Sequence, residues 1–378
     1  MTSGLRPSAV CPVYSVVYDW LALRRGARPY IPREDFMQKS ILVLLLLAAV
    51  FVSSPLRAEE EKSLEAQVKD LAQKVEALEY DLDQVRKLSD DALFWLRLSE
   101  VAEVDKVILT GPPNPRGKEV YGIANERHPL RIYLYTFLPK NLDRSRKHPA
   151  IMLTHGGVHG DFGTYHVHLV REMVERGYIV LAPEYRGSTG YGREMYEAID
   201  YGGLENEDVV AGRDWAVEQL PVDPKRIALV GWSHGGMISL MAGFDHPDKF
   251  ACIYAGVPVS DLITRLGYHE QGYEDLFAAD YHIGKPPSQA VDEYRKRSPV
   301  WNVEKLKLPL MVTSSTNDRD VNVVEVEQLI VHLKAAGKSF EHKIYNDAPG
   351  GHSFDRLDTT YARNVRKDLY AFLEKHLK

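Results

Sequence analysis

The sharpest change in hydrophobic pattern falls within the first hundred residues. Residues 41–52 read ILVLLLLAAVFV, an unbroken apolar run. A membrane-crossing helix needs about twenty such residues, so this run is short for one. Lys39 precedes it and Ser53-Ser54-Pro55 ends it, the charged–apolar–polar order of a secretory signal peptide. Met37 stands just ahead of Lys39. The expected layout is therefore an upstream extension over 1–36, a signal peptide over 37–58 and a mature start near Glu59. An uncleaved membrane anchor is the alternative. From residue 59 the pattern turns charged and is free of Gly and Pro. Leu64, Leu71, Leu78 and Val85 recur every seven residues, and Val68, Val75 and Leu82 interleave at steps of four and three. That is a heptad seam of the kind that pairs two parallel helices. Glu65 with Lys69, Asp70 with Lys74 and Asp83 with Lys87 add acid-first pairs four apart. The pattern predicts a helix over 59–100 that forms a homodimer through residues 64–85. The competing expectation is one amphipathic helix packed on its own domain.

Beyond residue 101 short apolar runs alternate with helical periods. Strands are expected at 130–138, 150–154, 178–182, 226–230, 250–255, 308–313 and 340–345. Helices are expected at 165–176, 207–220, 234–245, 323–336 and 359–376. This order predicts an α/β domain over 101–378, with a mostly parallel central sheet and helices on both faces. A ligand site then belongs at the carboxyl ends of the strands.

Composition narrows the chemistry. The 378 residues are 44% hydrophobic and 26% charged, with a net charge of −6. A mild acidic excess argues against a nucleic-acid partner, because phosphate binding needs a basic face. Cys11 and Cys252 are the two cysteines, too few for a disulfide framework or a thiolate zinc site. His155, His159, His166 and His168 cluster in sequence. His166 and His168 are two apart and do not share a helical face, and no metal or other cofactor is expected.

Gly231-Trp232-Ser233-His234-Gly235 matches G-x-S-x-G between an expected strand and an expected helix. That context marks a nucleophile elbow, with Ser233 on a strained turn at a helix N-terminus. A serine nucleophile needs a base, and the base needs an orienting carboxylate. His352 lies in a loop after the last strand. Asp318 and Asp320 follow the strand at 308–313. Chain position alone does not choose between the two acids. His155-Gly156-Gly157 follows the strand at 150–154, where an oxyanion turn is expected. The backbone amides of Gly157 and His234 are the expected donors.

Four segments together carry a family resemblance: HGG at 155–157, EYRGSTGYG at 184–192, GGLENEDVVAGRDW at 202–215 and GWSHGG at 231–236. From about Leu130 to Lys378 the chain resembles the catalytic domain of the prolyl-oligopeptidase family of serine peptidases, within the α/β-hydrolase superfamily. The resemblance implies Ser233 as nucleophile, Asp318 as acid and His352 as base. The family acid stands three residues before a Val, and Val321 places it at Asp318. Two departures stand out. Ser314-Ser315 replaces the His-Gly common ahead of the acid, and the stretch between Ala58 and Leu130 is too short for the family's β-propeller. The paired-glutamate elements of the dipeptidyl branch have no room there either.

The function expected is an exported serine hydrolase that cleaves peptide bonds through an acyl-enzyme. A carboxylesterase, carbohydrate esterases included, would use the same triad. A coiled-coil scaffold with an inactive hydrolase domain is a rival of another class. The substrate is a peptide or a small acyl compound. Residues 259–299 are expected to wall the pocket, with Tyr268, Tyr273, Phe277 and Tyr281 as candidate apolar contacts. A membrane is a partner only if the 37–58 segment stays uncleaved.

Overall fold

The computed structural model describes residues 56–113 and 129–378, with side chains described over 64–113 and 130–378. The upstream extension, the apolar run and the signal segment up to residue 55 lie outside the described residues. The chain divides into two units, 1–73 and 74–378. One continuous helix, α1 (Leu56–Leu98), runs through the boundary. Leu64, Val68 and Leu71 in the first unit, and Val75, Leu78, Leu82 and Val85 in the second, are all exposed. In the second unit α1 packs on the domain with a different face: Lys87, Asp91, Phe94 and Leu98 are buried. Within the second unit the packed face of α1 is not the heptad seam. Among the described residues no helix is long and apolar enough to cross a membrane.

The second unit is built on an eight-stranded sheet in the order β1-β2-β4-β3-β5-β6-β7-β8. The strands are β1 (Ala102–Pro113), β2 (Pro129–Pro139), β3 (His148–Thr154), β4 (Ile179–Glu184), β5 (Val222–Trp232), β6 (Cys252–Gly256), β7 (Leu310–Ser315) and β8 (Glu341–Tyr345). β1 pairs with β2, and β2 with β4, antiparallel; every other neighbouring pair is parallel. β1 is not among the expected strands. It lies at the sheet edge, and many of its side chains face water. Its sequence, AEVDKVILTGPP, therefore lacks the apolar run that marks an inner strand.

Alternation along the strands divides the core between the two faces of the sheet. Ala150 and Met152 face one side; Ile151 and Leu153 face the other. The first side is covered by α3 (Leu204–Gln219), α4 (His234–Asp245) and α5 (Val323–Ala335), through Val209, Met237, Leu240 and Leu329. The second is covered by α2 (Val167–Glu175), α6 (Thr360–Leu377) and the end of α1, through Val170, Met173, Leu369, Phe372 and Phe94. Between β6 and β7 the chain forms three short helices, Leu262–Leu266, Gln271–Ala278 and Pro287–Arg297. The parallel strands β3, β5 and β7 end at Thr154, Trp232 and Ser315, the places from which the site is built.

Candidate active site

Ser233 follows β5 directly and caps α4. Its backbone sits at φ 59° and ψ −125°, a conformation that costs an L residue on the order of 1–3 kcal/mol. The surrounding bonds enforce it. Ser233 N–H donates to Gly256 O at 3.0 Å, and Ser233 O accepts from Met237 N at 3.1 Å. Close packing explains the flanking glycines. A Cβ on Gly231 would collide with Gly235 O, and one on Gly235 would collide with Thr154 O.

His352 lies in a short turn, Gly351–Ser353, after β8. Its Nδ1 is 2.7 Å from Asp318 Oδ2. Since a carboxylate accepts, this places the proton on Nδ1 and leaves Nε2 as the basic nitrogen. The other Asp318 oxygen accepts from the amides of Asp320 and Val321, at 2.9 Å each. Asp320 stands differently: its carboxylate is 3.5 Å from His352 Nε2, pairs with Arg265 at 3.2 Å, and is 56% exposed. Burial works to raise the Asp320 carboxyl, but His352 and Arg265 outweigh it and hold it below its usual range. Asp355 ties the His352 loop to the sheet. Its buried carboxylate accepts from Trp232 Nε1 at 2.7 Å and Tyr254 Oη at 2.9 Å.

The His155-Gly156-Gly157 turn follows β3 and lies beside the elbow. His234 connects the two: its Nδ1–H donates to Gly157 O at 2.6 Å, and its Nε2 is 2.6 Å from Glu205 Oε1. The His234 amide belongs to the first turn of α4, where N–H groups have no intrahelical partner.

Gly156, Gly157, Ser233 and His352 line one cavity of about 400 Å³. Asp161, Tyr165, His166, Tyr201, Arg265, Tyr273, Asp320 and Arg356 complete much of its wall. Of the four aromatic residues expected in the wall, Tyr273 lines it, and Tyr268, Phe277 and Tyr281 are not among its lining residues. Phe277 is buried, its ring edge-on to Tyr201, and Tyr268 is hydrogen-bonded to Glu325. The wall is more polar than the sequence suggests, because Arg265 enters it while bonded to Tyr273, Asp320 and Glu325. No motif marks Asp161, Tyr201 or Arg265.

The clustered histidines divide into separate tasks. His155 Nε2 is 3.2 Å from Glu184, His159 Nδ1–H donates to Gly187 O, and His168 Nε2–H donates to Arg356 O. His166 stacks on Phe162 and donates from Nδ1 to Gly163 O. Burial pushes the His166 imidazole down to about 3. It therefore stays neutral in the folded chain while the unfolded chain protonates near ~6.5. Below that pH the unfolded state binds the extra proton, and stability falls. The loss amounts to about 2 kcal/mol at pH 5 relative to neutral pH. Denaturant unfolding at pH 7 and pH 5 should show that the gap narrows by about this amount in His166→Phe. An unchanged gap would mean that His166 carries none of the acid sensitivity.

The chain is 28% identical over 244 residues to the uncharacterized peptidase YuxL of Bacillus subtilis, covering 63% of this chain and 36% of that protein. It is 29% identical over 248 residues to dipeptidyl aminopeptidase BIII of Pseudoxanthomonas mexicana, covering 61% of this chain and 35% of that protein. The chain thus spans about a third of the length of these curated relatives. The uncomplexed acylaminoacyl peptidase of Pyrococcus horikoshii superposes with a TM-score of 0.60 at 21% identity, over 75% of this chain and 43% of that one. That likeness shows the fold. The sequence pattern of the prolyl oligopeptidase family matches residues 165–378, a span that holds Ser233, Asp318 and His352. Matched over more than half of its length, the chain belongs to the prolyl oligopeptidase family.

Proposed function

We propose that this protein is a serine peptidase working through an acyl-enzyme, with Ser233, His352 and Asp318 as its triad. The observation that carries the reading is the convergence in one cavity of an elbow serine and a histidine whose Nδ1–H is bonded to a buried aspartate. Ser233 Oγ attacks the acyl carbon and gives its proton to His352 Nε2. The charge left on the carbonyl oxygen is met by the amides of Gly157 and His234. The leaving amine takes the proton from Nε2 as the carbon–nitrogen bond breaks. Water then enters, loses a proton to Nε2, attacks the acyl carbon, and Ser233 leaves with the returned proton. Asp318 keeps the imidazole in the required tautomer and stabilises its cation. Relatives named as peptidases support amide cleavage over ester cleavage as the natural task.

A fluorophosphonate probe should label the wild type and not Ser233→Ala. No labelling of the wild type would sink the reading and favour an inactive scaffold. A panel of aminoacyl amides, N-acyl peptides and short acyl esters separates peptidase from esterase; turnover of esters alone would favour the esterase.

The same proposal includes export by the 37–58 segment and a homodimer through the exposed seam. Seven apolar side chains at heptad spacing, all exposed, support a second copy as the occupant. Light scattering at micromolar concentration should report a dimer, and Leu71→Lys with Leu78→Lys should report a monomer that keeps its small-ester hydrolysis. A monomeric wild type would dismiss the seam as an association surface.

A further inference from the structure

Lys87 lies on α1, outside every segment used by the triad and the oxyanion turn. It is buried, and its ammonium sits among acids. Nζ donates to Phe162 O at 2.7 Å and lies 2.9 Å from Glu184, 3.4 Å from Asp161 and 3.6 Å from Asp91. Burial disfavours the charge on Lys87, but Glu184, Asp161 and Asp91 outweigh it and hold the ammonium above its usual range. Glu184 ends β4 and is fully buried. Burial alone would raise its carboxyl, yet Lys87 and His155 hold it well below the usual carboxylate range.

This ion cluster grips one segment of chain from both ends. Glu184 Oε1 accepts from Phe162 N–H at 3.1 Å, while Lys87 donates to the carbonyl of the same residue. Glu184 Oε2 faces His155 Nε2 at 3.2 Å. One turn further along α1, Asp90 accepts from Thr164 N at 2.7 Å and from Thr164 Oγ1 at 2.5 Å. Residues 155–164 are thus anchored at His155, Phe162 and Thr164. Between the anchors lie Gly156, Gly157, Val158 and Asp161, which line the catalytic cavity. A helix needed only as a brace has simpler means. Phe94, two turns beyond Lys87, packs on Phe162, Tyr135 and Phe137 without any charge. A buried ammonium with directed bonds adds position rather than mere burial.

We propose that Lys87 is a positioning residue which, through Glu184 and the Phe162 peptide, holds residues 155–164 so that the Gly157 amide meets the oxyanion. The proposal rests on the reading of Ser233 as the nucleophile. The α1 helix is on this account part of the catalytic apparatus and not an appended arm.

The test uses the full chain. Fluorophosphonate labelling of the wild type comes first; its failure removes the nucleophile reading and this proposal with it. In Lys87→Met, kcat on an activated ester should fall about 10- to 100-fold, somewhat less than the loss of a whole oxyanion donor. KM should stay near the wild-type value. The affinity for a boronic acid, whose tetrahedral adduct sets an oxygen in the oxyanion position, should fall by the same factor as kcat. Measurements are made well below both melting temperatures. A lower melting temperature with kcat and boronate affinity unchanged would show a plain brace and overturn the proposal. Should Lys87→Met not fold, Asp90→Ala removes the Thr164 anchor from a half-buried position. It should give a smaller, parallel loss in kcat and boronate affinity; no loss in either overturns the proposal.

Discussion

Asp318→Asn is expected to lower turnover by about four powers of ten, the loss seen when the orienting carboxylate of a serine triad is made an amide. The melting temperature should stay in place. The bonding around residue 318 explains both outcomes. One Asp318 oxygen accepts from the Asp320 and Val321 amides, and the other accepts from His352 Nδ1–H. In the variant the single remaining side-chain oxygen is retained by the two backbone amides, which only donate. The new NH₂ then faces Nδ1, which must give up its proton to accept. The proton moves to Nε2, and the base that Ser233 needs is lost. The bonds to the backbone amides that shape the loop survive, so the fold is untouched. Asp320→Asn should cost about fivefold or less, the scale of an exposed ion pair, because that carboxylate is largely exposed and 3.5 Å from Nε2. Both variants can be assayed on one activated ester at pH 8. Near-normal turnover in Asp318→Asn with collapse in Asp320→Asn would reverse the roles.

Gly235→Ala should have the second largest effect, and here the fold itself is at stake. A Cβ at this position meets the backbone carbonyl of Thr154 and lies 2.5 Å from that of His155. Neither oxygen belongs to a flexible side chain, so the elbow and the end of β3 must part. Overpacking of this kind costs about 3 kcal/mol or more when backbone must move. Because the displaced atoms begin the oxyanion turn, the fraction that still folds should also turn over slowly. Gly272→Ala is the matched control. It lies in the helix Gln271–Ala278 with nothing within 4 Å of the added carbon, so it should be neutral or stabilising by up to about 1 kcal/mol. Equal denaturation midpoints for Gly235→Ala and wild type would refute the close-packing account.

Much of the framework is legible in the amino-acid pattern. The helix expected at 234–245 has the same bounds in the fold, because the elbow glycines mark its start and apolar residues recur on to Phe244. Strands β3 to β7 stand out as short apolar runs, since inner strands are buried on both faces. The edge strand β1 escapes, as do the short helices after β6. In the latter, apolar residues such as Leu262 and Phe277 are too few per turn to set a period. The heptad seam is legible as well, but the face that α1 buries is not. Spacing pairs Lys87 with Asp83, yet Lys87 is buried against Glu184 and the Phe162 carbonyl, and a sequence offers no sign that a charged residue will be buried with partners far away.

Local signals therefore suffice for the parts of this protein that are themselves local. Alternation of apolar residues sets the strands, glycines at 231 and 235 set the elbow, and chain order sets Ser233 ahead of Asp318 and His352. Everything else comes from packing. Packing turns Asp318, the acid that the family resemblance implies, inward to His352 Nδ1 and two amides, and turns Asp320 toward Arg265. It makes the cavity wall polar by bringing in Arg265 and Asp161. It also joins Lys87 to Phe162, 75 positions away. Such pairings depend on which surfaces the sheet and helices press together, and no spacing within either segment encodes them.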